Sequence, residues 1–401
     1  MRTVRPWQGA CGTLLVACGG RTGLEGPTVS ASDASADTSV NDSSVLLAVG
    51  GTQTYYRSSD GTLFVWGANW DGVLNTDAGV DGDVGVAHPT PVVAPTFGYA
   101  VAIRPMPAGN CILYRSGDVG CWGWNGLGGV DGIESLPKPP PGVVVVKNAT
   151  SIAGQRSHCA RLMDNSVQCW GYPLPCEGTF GVYPPQPPHR RMDLESLDTL
   201  SLGDDGACGL VGTTVRCCGS NAHGDLGDGT TVSRNTLGTV PQPTKAESVS
   251  YGFVTTPCAL MLDSTVECWG WNALGQIGDG MLGGIRTQPT RVIGLANVTR
   301  ITDGGLHNCA LLTDHTARCW GNNANGQLGD GTTTHRATPV PVLSPTGASG
   351  WQVAEIQAGG EFTCAIDLVG KVWCWGRNQY GQLGDGTTAN RSLPTQVTGL
   401  P

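Results

Sequence analysis

The stretch Cys319-Trp320-Gly321-Asn322-Asn323, followed by Gly326-Gln327-Leu328-Gly329-Asp330-Gly331-Thr332, recurs along this 401-residue chain and decides its architecture. The Trp-Gly step stands at Trp66-Gly67, Trp122-Gly123, Trp170-Gly171, Trp269-Gly270, Trp320-Gly321 and Trp375-Gly376, and Cys218-Gly219 fills the remaining, fourth slot. Neighbouring slots lie 48 to 56 residues apart, a period that signals a solenoid, propeller or array. An Asn follows three positions after the slot in every repeat but the third, which has Pro173. A Gly-Asp-Gly sequence comes next in the last four repeats, at 227–229, 278–280, 329–331 and 384–386. Glycine tolerates positive φ and Asp supports local side-chain turns, so this reads as punctuation between strands.

Within one repeat, residues 298–301, 309–313, 316–320 and 338–342 read as four short strands separated by turns. No long helical periodicity competes with them, so each repeat is predicted to be one four-stranded antiparallel sheet. Seven such sheets around an axis make an all-β, seven-bladed β-propeller. Residues 45–401 supply about 51 residues per blade, which suits a blade and is long for a leucine-rich or ankyrin repeat. The repeated tryptophans are expected to fill space between blades. Residues 143–146 read as a buried strand.

The cysteines follow the same ruler. Cys111, Cys159, Cys258, Cys309 and Cys364 stand eleven positions before the slot, and Cys121, Cys169, Cys268, Cys319 and Cys374 stand one before it. Repeat four keeps the pair as Cys208 and Cys217, and repeat one loses both members together, to Tyr55 and Val65. Joint presence and joint absence predict bonded pairs across a hairpin, where facing residues lie within disulfide reach. Structural zinc would need closely spaced pairs such as C-x-x-C, which this spacing lacks. Reduced core cysteines are the other alternative, and an export signal argues against them.

Residues 1–17 carry Arg2 and Arg5 before a short apolar run, features of export. Leu15-Val16-Ala17-Cys18 resembles the lipobox of bacterial lipoproteins, which implies a signal peptide over 1–17 and lipidation at Cys18. Residues 18–44 are rich in Ser, Asp, Ala and Thr and read as a flexible tether to a propeller at 45–401. Disulfides persist in oxidising compartments, so export and the pairing support each other. No further stretch approaches the ~18 apolar residues of a spanning helix; membrane attachment would be through lipid alone, at a bacterial outer membrane, with secretion as the alternative. Cys176 and Cys218 remain as a candidate seventh bond linking neighbouring blades, although Cys218 could instead compete with Cys217 for Cys208.

The pattern from Gly304-Gly305-Leu306-His307-Asn308-Cys309 through Thr332 resembles the regulator of chromosome condensation repeat. That resemblance implies a seven-bladed propeller. It covers nearly everything after the tether and is strongest in repeats six and seven. Members of the family include a nuclear exchange factor for a small GTPase, a plant ultraviolet photoreceptor and a secreted bacterial inhibitor of beta-lactamases, so fold does not settle function. With 23 Lys and Arg against 32 Asp and Glu, a nucleic-acid partner is not expected. Exchange on a cytosolic GTPase does not suit an exported chain, and the tryptophan motif of the photoreceptor is absent. The exported bacterial branch, whose members bind other proteins, fits best.

No nucleophile elbow, H-E-x-x-H or phosphate loop occurs. The seven histidines form no ligand spacing, and the Gly-Asp-Gly carboxylates repeat as scaffold residues do. Neither a catalytic residue, a cofactor nor a metal site is expected. A binding surface is sought where the repeats differ. Two positions past the slot stand Ala68, Trp124, Tyr172, Ser220, Trp271, Asn322 and Arg377, and Trp, Tyr and Arg are common interface anchors. Two insertions add candidates: residues 70–88 with Asp71, Asp77, Asp81 and Asp83, and the proline-rich 172–191 with Phe180 and Tyr183. The candidate binding residues are therefore Trp124, Tyr172, Phe180, Tyr183, Trp271 and Arg377. The reading is a monomeric, envelope-anchored binding protein for a protein or glycan partner, with a structural envelope component and a secreted hydrolase as alternatives.

Overall fold

The structure is a computed structural model and describes residues 46–69, 74, 87–94, 100–105, 110–123, 138–154, 157–172, 174, 176, 186–204, 206–242, 245–252 and 256–401. The chain is all-β. Seven four-stranded antiparallel sheets follow one another, over 46–93, 100–146, 149–190, 201–239, 246–291, 298–341 and 353–396. Each sheet pairs its strands in chain order, so each blade is one contiguous stretch and none borrows a strand from another. Blade six has strands Val298–Asp303, His307–Leu312, Ala317–Gly321 and Arg336–Pro341, with no bound more than two residues from the expected one. The signal segment, Cys18 and the tether lie outside the described residues. Among those described, no helix is long and apolar enough to cross a membrane.

Six cysteine pairs lie directly opposite one another between the second and third strands, with Cα atoms 4.0 to 4.2 Å apart. Cys208 bonds Cys217 and Cys176 bonds Cys218, which resolves the competition between the two adjacent cysteines. One expectation is corrected at 143–146. The strand forms, as Lys138–Val146, but Val144 is exposed, Val145 half-buried and Val146 buried, because this is the outermost strand of its blade and one face meets solvent.

The core is divided among the joints between blades. Seven apolar clusters each combine side chains of two neighbouring blades, such as Cys258, Ile277 and Val292 with Ile301, Ala310 and Trp320. The six tryptophans of the repeat are fully buried there. What turns them into the joint is a bulge. In all seven blades the pairing of the third and fourth strands slips between the residue before the slot and the glycine after it. That glycine has φ between 97° and 121°; a Cβ at Gly67 would lie 2.3 Å from the Thr52 carbonyl oxygen.

A specific lock follows. The Trp269 indole N–H donates to the Asp225 carbonyl at 2.9 Å, Trp320 to Gln276 at 2.8 Å, Trp375 to Gln327 at 2.9 Å and Trp66 to Gln382 at 2.9 Å. Each acceptor belongs to the preceding blade and lies seven positions past its own slot, and the last of these locks joins blade seven to blade one. The carbonyl's second lone pair is also used: Asn308 Nδ2 donates to Gln276 at 2.8 Å, Thr363 Oγ1 to Gln327 at 2.8 Å and Thr54 Oγ1 to Gln382 at 3.3 Å. Against the indole lies the first glycine of Gly-Asp-Gly. A Cβ on Gly227, Gly278, Gly329 or Gly384 would stand 2.7 to 3.0 Å from the next blade's indole nitrogen. The motif therefore makes room for the neighbouring tryptophan in addition to turning the chain.

This predicts unequal costs for alanine at two positive-φ glycines. Gly283→Ala, at φ 86° with nothing within 4 Å, should cost only the left-handed backbone, about 1–2 kcal/mol. Gly329→Ala must also displace Trp375 and should cost about 1–3 kcal/mol more; urea midpoints of the two variants compare them directly.

Candidate recognition surface

In an up-and-down blade, the turn after the first strand and the loop after the third strand emerge at the same end of the ring. The Trp-Gly loops therefore share one face with the turns beside the central axis. Backbone bonds tie the two together: Ala68 N–H donates to Thr52 at 3.0 Å, Asn322 to Leu306 at 2.8 Å and Arg377 to Glu361 at 2.9 Å. Nearer the axis, glycine turns of consecutive blades meet backbone to backbone, with Gly305 N–H donating to Gly359 O at 2.9 Å and Gly360 N–H to Gly50 O at 3.0 Å. A Cβ on Gly305 would lie 2.2 Å from Gly360 O, so side chains are excluded from this collar.

In blades four to seven the loop is held by one recurring polar unit. The Asn side chain three past the slot accepts from a backbone N–H five residues on, as Leu328 N–H does to Asn323 Oδ1 at 3.0 Å. Its amide donates to the Asp of Gly-Asp-Gly, 3.0 Å for Asn323 and Asp330. The same carboxylate accepts from the Thr332 hydroxyl at 2.7 Å and pairs with Arg336 at 2.7 Å. Equivalent Asp–Arg pairs join Asp228 to Arg234, Asp279 to Arg286 and Asp385 to Arg391. Burial works against ionisation of Asp228, Asp330 and Asp385, yet the Thr and Arg hydrogen bonds outweigh it and hold all three below the usual carboxylate range. These carboxylates are charged and already satisfied, a poor basis for acid–base chemistry.

Of the six candidate binding residues, Tyr172, Trp271 and Arg377 are described, and all three are half-buried at this end; Trp124, Phe180 and Tyr183 lie outside the described residues. They belong to blades three, five and seven, so the ring spaces them apart and does not gather them into one pocket. Two residues outside the six candidates complete the local sites. His223 of blade four packs against Trp271, ring centroids 6.0 Å apart. Glu361 pairs with Arg377, whose guanidinium also lies 5.7 Å above the Tyr380 ring. Ala68 and Asn322, in the same slot, are buried.

A shallow crevice opens between blades five and six, lined by Thr256, Gln276, Asp303, His307 and Asn308. Burial pushes the Asp303 carboxyl up to about 7, with the Ser250 hydroxyl offsetting part of the effect. Burial pushes the His307 imidazole down to about 3. Thr363 Oγ1 donates to the Gln327 carbonyl, so it must accept from His307 Nε2 at 2.8 Å; the neutral ring carries its proton on Nε2. His158 is likewise held down at about 3, by burial and then by Arg104, and stacks on Trp170. His307 thus links blade six to blade seven. Among the described residues no group of three or more His, Cys, Asp or Glu side chains could hold a metal ion.

Comparison with known proteins matches the last two blades to a repeat family. The Regulator of chromosome condensation (RCC1) repeat matches residues 319–366 and 369–401, and a second description of that repeat matches 298–327 and 353–382. This is an RCC1-repeat propeller. Among solved structures, human WBSCR16 superimposes with a TM-score of 0.72 at 19% identity, over 84% of this chain and 94% of that one. Yeast RCC1 (Prp20), in its complex with Kap60, does so at 0.70 and 18% identity, over 88% and 85%. The propeller is 28% identical over 209 residues to the ultraviolet-B receptor UVR8 of Arabidopsis thaliana, covering 50% of this chain and 46% of the receptor. It is 27% identical over 376 residues to the human E3 ubiquitin-protein ligase HERC2, covering 86% of this chain but 7% of the ligase. The chain thus spans less than half the length of these two relatives.

The buried titratable groups of this RCC1-repeat propeller predict its pH response. Asp303, raised in the fold, stabilises most below its unfolded value and loses that contribution as pH rises from about 4 to about 7. His158 and His307, depressed in the fold, are neutral there and lose stability as pH falls from about 6.5 to about 3. Asp303→Asn should therefore melt higher than the parent above pH 7, and the difference should vanish near pH 4. Thermal melts across that range test the sign.

Proposed function

We propose that this chain is a non-enzymatic binding protein anchored to a bacterial envelope, which presents the Trp-Gly face of its propeller to a protein partner. The observation that carries this reading is the sidedness of the blades. The first strand of blade one, Leu46–Val49, starts at the end opposite the Trp-Gly loops and runs toward them. A tether over 18–44 would therefore join the ring on its far side, and lipid at Cys18 would leave the variable slots facing away from the membrane. Trp271 and Arg377 are half-buried against His223 and against Glu361 and Tyr380, in keeping with interface anchors. Yeast RCC1, which shares the fold, is seen bound to a protein, Kap60. The spent Asp–Arg pairs favour binding over hydrolysis.

Crosslinking in intact envelopes followed by mass spectrometry tests this reading. One partner should crosslink specifically, and its capture should fall at least tenfold in Trp271→Ala or Arg377→Glu, a loss of about 1.4 kcal/mol or more. Leu262→Asp, at the opposite end of the ring, should leave capture intact. Stoichiometric association with many envelope proteins, unaffected by these variants, would instead favour a structural component. Cys18→Ala should abolish incorporation of radiolabelled palmitate and release the chain from the membrane fraction.

A further inference from the structure

We propose that the Cys176–Cys218 disulfide is a redox latch on the joint between blades three and four, standing where other joints carry the tryptophan lock. Cys218 occupies the tryptophan slot itself. Cys176 lies six positions past Trp170, one short of the position whose carbonyl receives the indole N–H at the joints that carry the lock. Their Cα atoms are 5.1 Å apart and the bond spans 42 residues. Every other disulfide among the described residues spans nine or ten residues inside one hairpin.

The remaining parts of the lock are missing from this joint together. In blade three, Pro173 stands in the Asn slot, Thr179 in the slot of the first glycine, Phe180 in that of the Asp and Gln186 in that of the Arg. Opposite Cys218 across the hairpin is Ala207, where Asn308 and Thr363 supply a second donor elsewhere. With indole, glycine and polar unit all replaced, the joint keeps its apolar cluster, including Leu194, Leu197 and Leu202, and the covalent bond.

The consequence is selective. A dithiol such as dithiothreitol would pass two electrons and two protons to the sulfurs, break the Sγ–Sγ bond to leave two thiols, and become a cyclic disulfide itself. Reducing a hairpin bond leaves its two strands joined by their ladder, whereas reducing Cys176–Cys218 removes a tie between blades. The oxidised chain is a latched ring, and the reduced chain opens first at this joint.

Hydrogen exchange of the full-length protein reads this out. In the C176S/C218S variant, amides of residues 191–211 should exchange on the order of tenfold faster, with the other joints unchanged. The C309S/C319S control should leave 191–211 as in the parent. If the double variant fails to fold, the folded parent is partly reduced with dithiothreitol, the freed thiols are alkylated, and the species modified at Cys176 and Cys218 is compared instead. Unchanged exchange over 191–211 in either species overturns the proposal, as does peptide mapping that finds Cys218 joined to Cys208.

Discussion

Four joints of the ring depend on an indole N–H donated across the joint to a backbone carbonyl. A buried indole nitrogen without a partner is costly, and a propeller offers no strand edge of its own blade at that depth. The neighbouring blade supplies the acceptor, so the side chain that fills the gap also sets how far one blade can slide past the next. The same carbonyl takes a second donor from the strand beside the tryptophan. Position, spacing and polarity at a joint are thereby fixed by a few atoms, and the apolar clusters pack around them.

The constraint explains residues that serve no chemistry of their own. The first glycine of Gly-Asp-Gly must lack a Cβ because the next blade's indole lies against it. The Asp must stay ionised because it collects an amide, a hydroxyl and a guanidinium that hold the loop over the joint. Asn, Thr and Arg are each consumed in that unit. Conspicuous polar residues of the repeat are thus scaffold.

Period, blade count, strand bounds and hairpin cysteines were legible because each is a local pattern repeated several times. Gly-Asp-Gly was read as a turn, which is correct as far as one blade is concerned; its contact with the next tryptophan is a relation between repeats that no single one displays. The Arg partners, sixteen or seventeen positions past the slot, were in reach of the same ruler, since Arg234, Arg286, Arg336 and Arg391 recur. The variable slot pointed to one end of the ring, where Tyr172, Trp271 and Arg377 lie half-buried. It could not say that Ala68 and Asn322 would be buried while Trp271 and Arg377 stay partly open, because that depends on the turn packed beside each. Glu361 and His223 come from other segments and are joined to those residues only by the fold.

Because no blade borrows a strand from another, the meeting of blades seven and one is a joint like its neighbours, carrying the same Trp66 lock. Many closed architectures would have to rewire their hydrogen-bond ladders to change size. Here a whole repeat is a module with a donor on one flank and an acceptor on the other, so duplicating or deleting one preserves every ladder and changes only the circumference. The chain could likewise be recut at any joint, its old ends linked and new ones made between two blades. Modularity of this kind lets one repeat drift, as the third has, while the remaining six hold the ring.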